Sequence, residues 1–229
     1  MIQVRPSEER GQNKLSWLDT KFTFSFDQYY DPEHIQFRSL RVLNEDIVAP
    51  GKGFGMHPHK DMEILTWILD GALEHRDSMG TGAVIRPGEL QHMTAGSGIL
   101  HSEFNPSPKD PTHLLQIWIV PDRKNLKPEY EQLTFPDKDL RGGFHLVAGP
   151  QAPVNIHQDA NLYIARLNEG EQTKHPLKKG RHAWVQVSRG NVDVNGVELK
   201  AGDGAAISEE SEVRVEASKP AEVLLFDLA

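Results

Sequence analysis

The chain has 229 residues, enough for one large domain or two small ones, and it contains no cysteine. The lack of cysteine excludes disulfides, thiolate ligands and cysteine nucleophiles, so a bound metal must use nitrogen and oxygen ligands. The net charge of −8 argues against nucleic acid and anionic membrane surfaces as the main partners. The N-terminal segment MIQVRPSEERG has no signal-peptide core, and no stretch approaches about 18 consecutive apolar residues, so we expect a cytoplasmic protein.

Along the chain, short runs rich in β-branched and aromatic residues alternate with Gly, Pro, Asn and Asp, which predicts strands separated by turns. These runs are FRSLRVL, EILTWIL, AVIRP, LLQIWIV, FHLVAG, LYIARL, AWVQVSRG, VDVNGVEL, EVRVEA and EVLLFDL. Asn195 and Gly196, flanked by valines, predict a tight hairpin turn. Because helical periodicity is scarce, the pattern predicts an all-β sandwich or barrel.

The polar, proline-rich segment 121–140 interrupts the pattern, and we interpret it as the connection between two halves. The halves resemble each other, since residues 57–75 and 175–194 each run from His-Pro through a central Trp to a Gly at similar spacing. Such internal similarity predicts a duplicated barrel. We therefore predict an N-terminal domain at 1–125 and a C-terminal domain at 126–229.

The stretch FGMHPHKDMEIL contains two histidines, His57 and His59, that are separated by one residue. On a strand, such residues point to the same face about 6.6 Å apart, so both imidazoles could bind one metal ion. Pro58 cannot donate a hydrogen bond to a neighbouring strand, which predicts a position at a strand start or a sheet edge. Asp61 and Glu63 continue the same every-second-residue spacing, so they are further candidates on that face.

A second pair with the same spacing, His101 and Glu103, follows a glycine-rich turn in GSGILHSEFN. Two strands that present such pairs from one barrel wall would supply three imidazoles and one carboxylate. This sulfur-free set suits Fe(II), Mn, Co, Ni or Cu better than a closed structural zinc site. Four protein ligands on a six-coordinate ion would leave two positions for substrate, water or O₂. Alternation along the strand does not exclude Glu63 as the carboxylate ligand.

Several stretches resemble a known family. GKGFGMHPHKDMEILTWILDG resembles the first cupin motif, and HPHKDMEILTWILDGALEHRDSMG followed by LQHMTAGSGILHSE is similar to the pirin family in particular. The similarity continues through LRVLNED upstream and through RHAWVQVSRG, VNGVELKAGDGAAI and EVLLFDL downstream, so it covers nearly the whole chain. It implies two cupin barrels in tandem, each a jelly-roll type double-stranded β-helix, with one metal in the N-terminal barrel and none in the C-terminal barrel.

The resemblance also implies which residues hold that metal. The family's ligands correspond to His57, His59, His101 and Glu103, whereas the general cupin motif would use Glu63 as its carboxylate. Glu63 is then expected to orient a histidine or to face solvent.

The C-terminal half has no equivalent set of ligand-type residues. His175 occupies the position of His57, but Leu177 occupies that of His59 and no His-x-Glu follows. We therefore expect His175 and His182 to have structural or surface roles.

Other polar and aromatic residues are given structural interpretations. We expect a structural role for His92, and a solvated or bridged position for His75 and Arg76. The tryptophans of the predicted strands are interpreted as core residues: Trp67, Trp118 and Trp184.

Pirin-like proteins are associated with two kinds of function. Bacterial members are associated with quercetin 2,3-dioxygenase activity, and nuclear animal members with transcriptional co-regulation through an iron-dependent state. The resemblance therefore implies a metal-dependent dioxygenase, or alternatively a metal-sensing or protein-interaction protein with incidental quercetinase activity. A sugar or acid isomerase, as in other cupins, is a third and less favoured alternative.

In the dioxygenase hypothesis, a flavonol binds the metal through its 3-hydroxyl and 4-carbonyl oxygens. Glu103 takes the hydroxyl proton, and O₂ then opens the heterocycle with release of CO. Fe(II) is the favoured ion, with Mn, Co, Ni, Cu and Zn as alternatives. A hydrophobic cavity that reaches the metal would favour the enzyme, whereas an occluded metal beneath an exposed patch would favour binding of a protein partner.

Overall fold

Almost all regular structure in the chain is β-strand, as the computed structural model of all 229 residues shows. The strands are β1 (Ile2–Arg5), β2 (Gly11–Lys14), β3 (Leu18–Phe22), β4 (Leu40–Val48), β5 (Gly53–His59), β6 (Glu63–Asp70), β7 (Leu73–Asp77), β8 (Gly82–Ile85), β9 (Glu89–Thr94), β10 (Ile99–Phe104), β11 (Thr112–Ile119), β12 (Glu129–Thr134), β13 (His145–Gly149), β14 (Val154–Asn155), β15 (Ala160–Leu167), β16 (Gln172–Pro176), β17 (His182–Arg189), β18 (Asn191–Val194), β19 (Val197–Lys200), β20 (Gly204–Ile207), β21 (Glu212–Ala217) and β22 (Ala221–Leu228). Two short 3-10 helices lie at Ser7–Glu9 and Asp137–Leu140. None of the helices has the length and apolar character needed to span a bilayer. The all-β prediction is confirmed.

The strands form two barrels of the same design, each built from a seven-stranded and a four-stranded sheet. The N-terminal barrel has the strand orders β12-β9-β6-β11-β4-β3-β2 and β5-β10-β7-β8. The C-terminal barrel has the orders β1-β20-β17-β22-β15-β13-β14 and β16-β21-β18-β19. Strands β4 to β11 therefore recur as β15 to β22 in the same sheet positions. This repetition confirms the prediction of two cupin barrels in tandem.

Two strands cross the predicted division between residues 1–125 and 126–229. Strand β1 pairs antiparallel with β20 and extends the seven-stranded sheet of the C-terminal barrel. Strand β12 lies within the segment interpreted as a plain connection, yet it pairs with β9 in the N-terminal barrel. Its sequence EYEQLT is polar because the strand lies at a sheet edge, where most of its side chains are only partly buried. Each barrel thus receives one edge strand from the part of the chain assigned to the other.

The largest apolar cluster lies between the barrels, where the two seven-stranded sheets face each other. Side chains alternate along a strand, so Leu65, Trp67 and Leu69 of β6 belong to this shared cluster while their neighbours face the barrel interior. Leu224 and Phe226 of β22 join it from the other barrel. Because both faces of these sheets are buried, their strands have the nearly continuous apolar runs EILTWIL and EVLLFDL.

The interiors of the two barrels differ in chemistry. The C-terminal barrel is filled by 17 buried apolar residues, including Val185, Val187 and Val215. The N-terminal barrel contains only two small apolar clusters, of six and four residues. Buried polar side chains such as Thr66 and Gln91 occupy much of the remaining space. The N-terminal barrel therefore has the interior suited to a polar site.

Local predictions agree with the structure at the hairpin and at two of the tryptophans. Asn195 and Gly196 have φ angles of 50° and 88°, and they join β18 to β19 in the predicted tight turn. Trp67 and Trp184 are buried in the shared cluster between the barrels, as expected of core residues.

Truncation of Leu224 to Ala should lower the free energy of unfolding by about 2–5 kcal/mol, because it leaves a cavity in the shared cluster. Urea denaturation followed by tryptophan fluorescence measures the change. Ile47→Ala is the control, since this side chain is 44% exposed and its loss should cost less than about 0.5 kcal/mol. Equal losses in the two variants would contradict the assignment of this cluster as the common core.

Candidate metal centre

His57 and His59 lie on β5, the edge strand of the four-stranded sheet in the N-terminal barrel. The edge position predicted from Pro58 is therefore confirmed. Strand β5 pairs with β10, which places His101 directly opposite His57. Beyond this pair the register shifts, because Glu103 on β10 lies opposite Phe54 on β5. Three residues of β5 therefore span the same length as two residues of β10. This β-bulge changes the direction of the strand beside the histidines.

The imidazoles of His57, His59 and His101 form a compact group. Their ring centroids are 4.4 to 4.8 Å apart, and one ligand-type atom from each lies within 4.8 Å of the others. Nδ1 of His57 donates a hydrogen bond to the carbonyl oxygen of Gly55 at 2.7 Å, so in the neutral ring Nε2 carries no proton. That Nε2 atom lies 3.0 Å from Nε2 of His101.

His101 is oriented from behind by a second histidine and a carboxylate. Nε2 of His75 donates to Oδ2 of Asp77 at 3.0 Å, so Nδ1 of His75 is an acceptor. Nδ1 of His101 lies 3.4 Å from that acceptor and is positioned to donate to it. The backbone N–H groups of Met79 and Thr81 hold Oδ1 of Asp77 at 2.9 and 3.0 Å. This series of hydrogen bonds from Asp77 through His75 leaves Nε2 of His101 free to bind a cation.

The lone pairs of His57 and His101 therefore face each other, an arrangement that a cation between them would stabilise. Protons are poorly suited to this role, because burial lowers the pKa of His101 to about 2 and that of His59 to about 4. The neighbouring imidazoles also contribute to both of these pKa shifts. Three neutral imidazoles beside a carboxylate fit a divalent metal ion.

Glu103 is the carboxylate beside these imidazoles, and it is 3% exposed. Nε2 of Gln116 donates to both of its carboxylate oxygens at 3.1 and 3.2 Å, while Oε1 of Gln116 accepts from Oγ1 of Thr66 at 3.1 Å. A Glu103 oxygen also forms a second group of ligand-type atoms with His75 and His101. Burial raises the pKa of Glu103 to about 7, and a cation close by would favour its charged form.

Glu63 lies outside the imidazole group, so the shared face predicted for it is wrong. Strand β5 ends at His59, Asp61 adopts a positive φ of 50°, and β6 begins at Glu63. Parity along the sequence does not continue across this turn. Glu63 is fully buried and accepts hydrogen bonds from His92 at 2.7 Å and from Thr94 at 3.1 Å. It does orient a histidine, but one that is not among the candidate ligands.

His75 is bridged to a carboxylate, which agrees with one of its two expected roles, but it is fully buried rather than solvated. On β7 it pairs directly with Glu103 on β10. The sequence does contain a signal for the role of His75, since the spacing His75-x-Asp77 repeats the i, i+2 pattern of the two ligand pairs. Gln116 belongs to β11 and has no local motif, so the sequence did not indicate its contact with the carboxylate.

A cavity of about 670 Å³ opens beside the imidazoles. Trp118 was expected to be a core residue, but it is only half-buried and forms part of the cavity wall. The Trp118 ring meets the His59 ring edge-on, with centroids 4.9 Å apart. The other aromatic residues of the wall are Trp17, Phe22, Phe26 and Phe54. The polar residues buried in the wall are Thr20, Asn44, Asp46 and Glu103.

The histidines of the C-terminal barrel have other partners. Nε2 of His175 lies 2.8 Å from Oδ2 of Asp227, and Nδ1 of His182 lies 2.7 Å from Oγ of Ser208. Leu177 packs in the apolar interior of this barrel. Both groups of three ligand-type residues are in the N-terminal barrel.

Comparison with known proteins places the chain in a family. The family model described as Pirin matches residues 3–119, and the one described as quercetinase C-terminal cupin domain matches residues 146–228. The chain is 47% identical to the protein named quercetin 2,3-dioxygenase of Escherichia coli strain K12, over 100% of this chain and 99% of that protein. The chain belongs to the pirin family.

Solved structures of a pirin support the same assignment. The crystal structure of YhhW from Escherichia coli matches with a TM-score of 0.96 at 46% identity, covering 100% of this chain and 98% of that one. The crystal structure of bacterial pirin YhhW in complex with nickel(II) matches with a TM-score of 0.95 at 46% identity, covering 100% and 99%. The resemblance to pirins inferred from the sequence is therefore confirmed.

Replacement of Asp77 by Asn should lower the affinity for a divalent metal about 10–100-fold. The amide would no longer fix the tautomers of His75 and His101. Titration of the metal-free protein with Ni²⁺ against a chelator of known affinity measures the change. Glu74→Gln on the same strand is the control, because Glu74 pairs with the exposed Arg76. Wild-type affinity in Asp77→Asn would contradict the orienting role.

Asp46 makes stability depend on pH, because burial raises its pKa to about 6. Its pKa in the unfolded chain is about 3.9, so its contribution to stability is present below about pH 4 and is lost as the pH rises through about 6. The loss approaches about 3 kcal/mol, at about 1.4 kcal/mol per pKa unit. Asp46→Asn should therefore become more stable relative to wild type between about pH 4 and pH 8. Urea unfolding of the metal-free proteins tests this, and a pH-independent difference would contradict it.

Proposed function

We propose that this pirin is a metal-dependent quercetin 2,3-dioxygenase that opens the heterocycle of quercetin-like flavonols with O₂ and releases CO. The proposal rests chiefly on the cavity of about 670 Å³ that reaches His57, His59 and Glu103. A cavity with aromatic walls and a few polar groups suits a planar, three-ring ligand. The name of the relative that is 47% identical over its full length supports the same substrate.

In this proposal one divalent ion is held by His57, His59, His101 and Glu103. The convergence of the three imidazoles supports this ligand set, as do the Nε2 atoms of His57 and His101, which face each other. The nickel(II) complex of a relative supports a divalent ion. Fe(II) is our favoured ion, and Mn, Co, Ni, Cu and Zn are alternatives. When bound, the ion would hold two adjacent substrate oxygens and lower the pKa of the substrate hydroxyl.

The protein's part in the reaction is to position the flavonol and remove a proton. Glu103 accepts the proton of the 3-hydroxyl, and Gln116 fixes the carboxylate by donating to both its oxygens. The resulting flavonolate is electron-rich and reacts with O₂. One oxygen atom is added to each carbon beside the hydroxyl-bearing carbon, and the two bonds to that central carbon break. It leaves as CO with its own oxygen, while the aromatic walls exclude water.

The cavity favours the enzyme over the regulatory role that the resemblance also implies. A metal-sensing protein that acts through a partner would be favoured by an occluded metal site. His57 and His59 are only half-buried and line the cavity, so a small molecule can reach them. We therefore favour a flavonol-like substrate and O₂ over a protein partner as the molecules that bind at this site.

Glu103→Gln should lower the turnover of quercetin at least about 100-fold and reduce the bound metal, because it removes both a ligand and the base. Loss of quercetin absorbance, O₂ uptake and CO release are measured after reconstitution with each metal, together with metal content. Glu63→Gln is the matched control and should retain its metal. His175→Gln provides a second control on β16, the strand of the other barrel that corresponds to β5.

Full metal content in Glu103→Gln would contradict the ligand assignment. Full turnover under anaerobic conditions would contradict the reaction type, and turnover without CO would contradict the proposed cleavage. Metal binding without turnover of any flavonol would favour the regulatory alternative.

A further inference from the structure

The wall of the cavity contains a buried amide with no fixed partner. Asn44 is 4% exposed and lines the cavity, yet its Oδ1 atom makes no hydrogen bond within the protein. A buried polar group without a partner typically costs about 1–3 kcal/mol. Because the protein supplies that oxygen with no donor, rotation of the amide could present either its oxygen or its NH₂ group to a ligand. Such a group is suited to bind hydroxyls, which both donate and accept.

Asn44 lies on the seven-stranded sheet of the N-terminal barrel, whereas the candidate metal ligands lie on the four-stranded sheet. Gln116, the residue that holds Glu103, pairs with Asn44 on the neighbouring strand β4. Asn44 pairs in turn with Phe22 on β3. Neighbouring strands are about 4.8 Å apart, so this row extends about 10 Å from β11 to β3. Asn44, His57 and His59 line the same cavity, so a three-ring molecule anchored by one pair of oxygens at the imidazoles can extend along this cavity towards Asn44.

A second polar group lies on the same face of the same strand. Asp46 is two residues beyond Asn44, lines the cavity and is 5% exposed. Its carboxyl group is an acceptor for hydroxyl donors. Neither Lys nor Arg is among the residues that line the cavity, so the wall does not favour phosphates or carboxylates. The chemistry selects a neutral, hydroxylated aromatic ligand.

We propose that Asn44 and Asp46 form a subsite that hydrogen-bonds the hydroxyl groups on the pendant ring of the flavonol. This inference rests on the proposed function and adds the determinant of substrate choice. The pendant ring is joined by a single bond and can turn its hydroxyls towards both side chains, whereas the fused ring is fixed by the oxygens that anchor it. Flavonols with a dihydroxylated pendant ring are therefore preferred over those with an unsubstituted one.

The test compares two flavonols that differ only in the two pendant-ring hydroxyls, using wild type, Asn44→Leu and Asn155→Leu. Asn44→Leu should lower the ratio of kcat/KM for the dihydroxylated over the unsubstituted flavonol about 10-fold or more, because it leaves the hydroxyls unpaired. The matched control Asn155→Leu changes an exposed residue of β14 and should keep the wild-type ratio. Metal content and circular dichroism establish that each variant is folded.

Anaerobic binding to the nickel-loaded protein, followed by tryptophan fluorescence, separates this inference from the proposed function. If no flavonol is turned over, the proposed function fails, and the ratio of dissociation constants still tests the subsite. An unchanged ratio in folded Asn44→Leu, or equal binding of the two flavonols by wild type, would overturn the subsite. A third flavonol that lacks only the fused-ring hydroxyls tests the orientation. If Asn44→Leu instead loses only the ability to distinguish flavonols with and without the fused-ring hydroxyls, the subsite for the pendant ring would also be overturned.

Discussion

The packing of the two seven-stranded sheets against each other is the contact on which the rest of the structure depends. It buries 22 apolar residues outside both barrel interiors, including Trp67 and Phe226. The indole Nε1 of Trp67 donates to Glu222 of the other barrel at 2.9 Å, so even the polar atoms of this layer have partners. Because this shared layer supplies much of the apolar burial, the N-terminal barrel can keep a polar interior that would destabilise an isolated barrel.

The two barrels show how one topology accommodates two interiors. The C-terminal barrel fills the space with aliphatic side chains, whereas the N-terminal barrel places imidazole, carboxyl and amide groups there. Strand order is the same in both, so the chemistry depends on the side chains and not on the fold. Strands also hold these groups more rigidly than loops would, which suits a site that must keep several ligands at fixed distances.

Three of the four candidate ligands are oriented by a contact outside the group. The carbonyl oxygen of Gly55 sets the tautomer of His57, the His75–Asp77 pair acts on His101, and a glutamine holds the carboxylate. Several of these contacts are buried, where an unpaired polar group would be costly, so the geometry is preorganised. Asn44 differs from these residues, because its buried amide oxygen lacks such a partner within the protein.

The all-β class, the duplication and the two His-containing pairs could be predicted from the sequence, because alternation along strands and the chemistry of tight turns are local properties. The tertiary structure was needed to show which strands complete each barrel, since pairing of β1 with β20 joins residues at opposite ends of the chain. It also removed Glu63 from the ligand face, because the turn at Asp61 breaks the alternation. It brought His75 and Gln116 to the site through pairing between distant strands. The cavity likewise depends on side chains from many strands, so no local pattern could predict it.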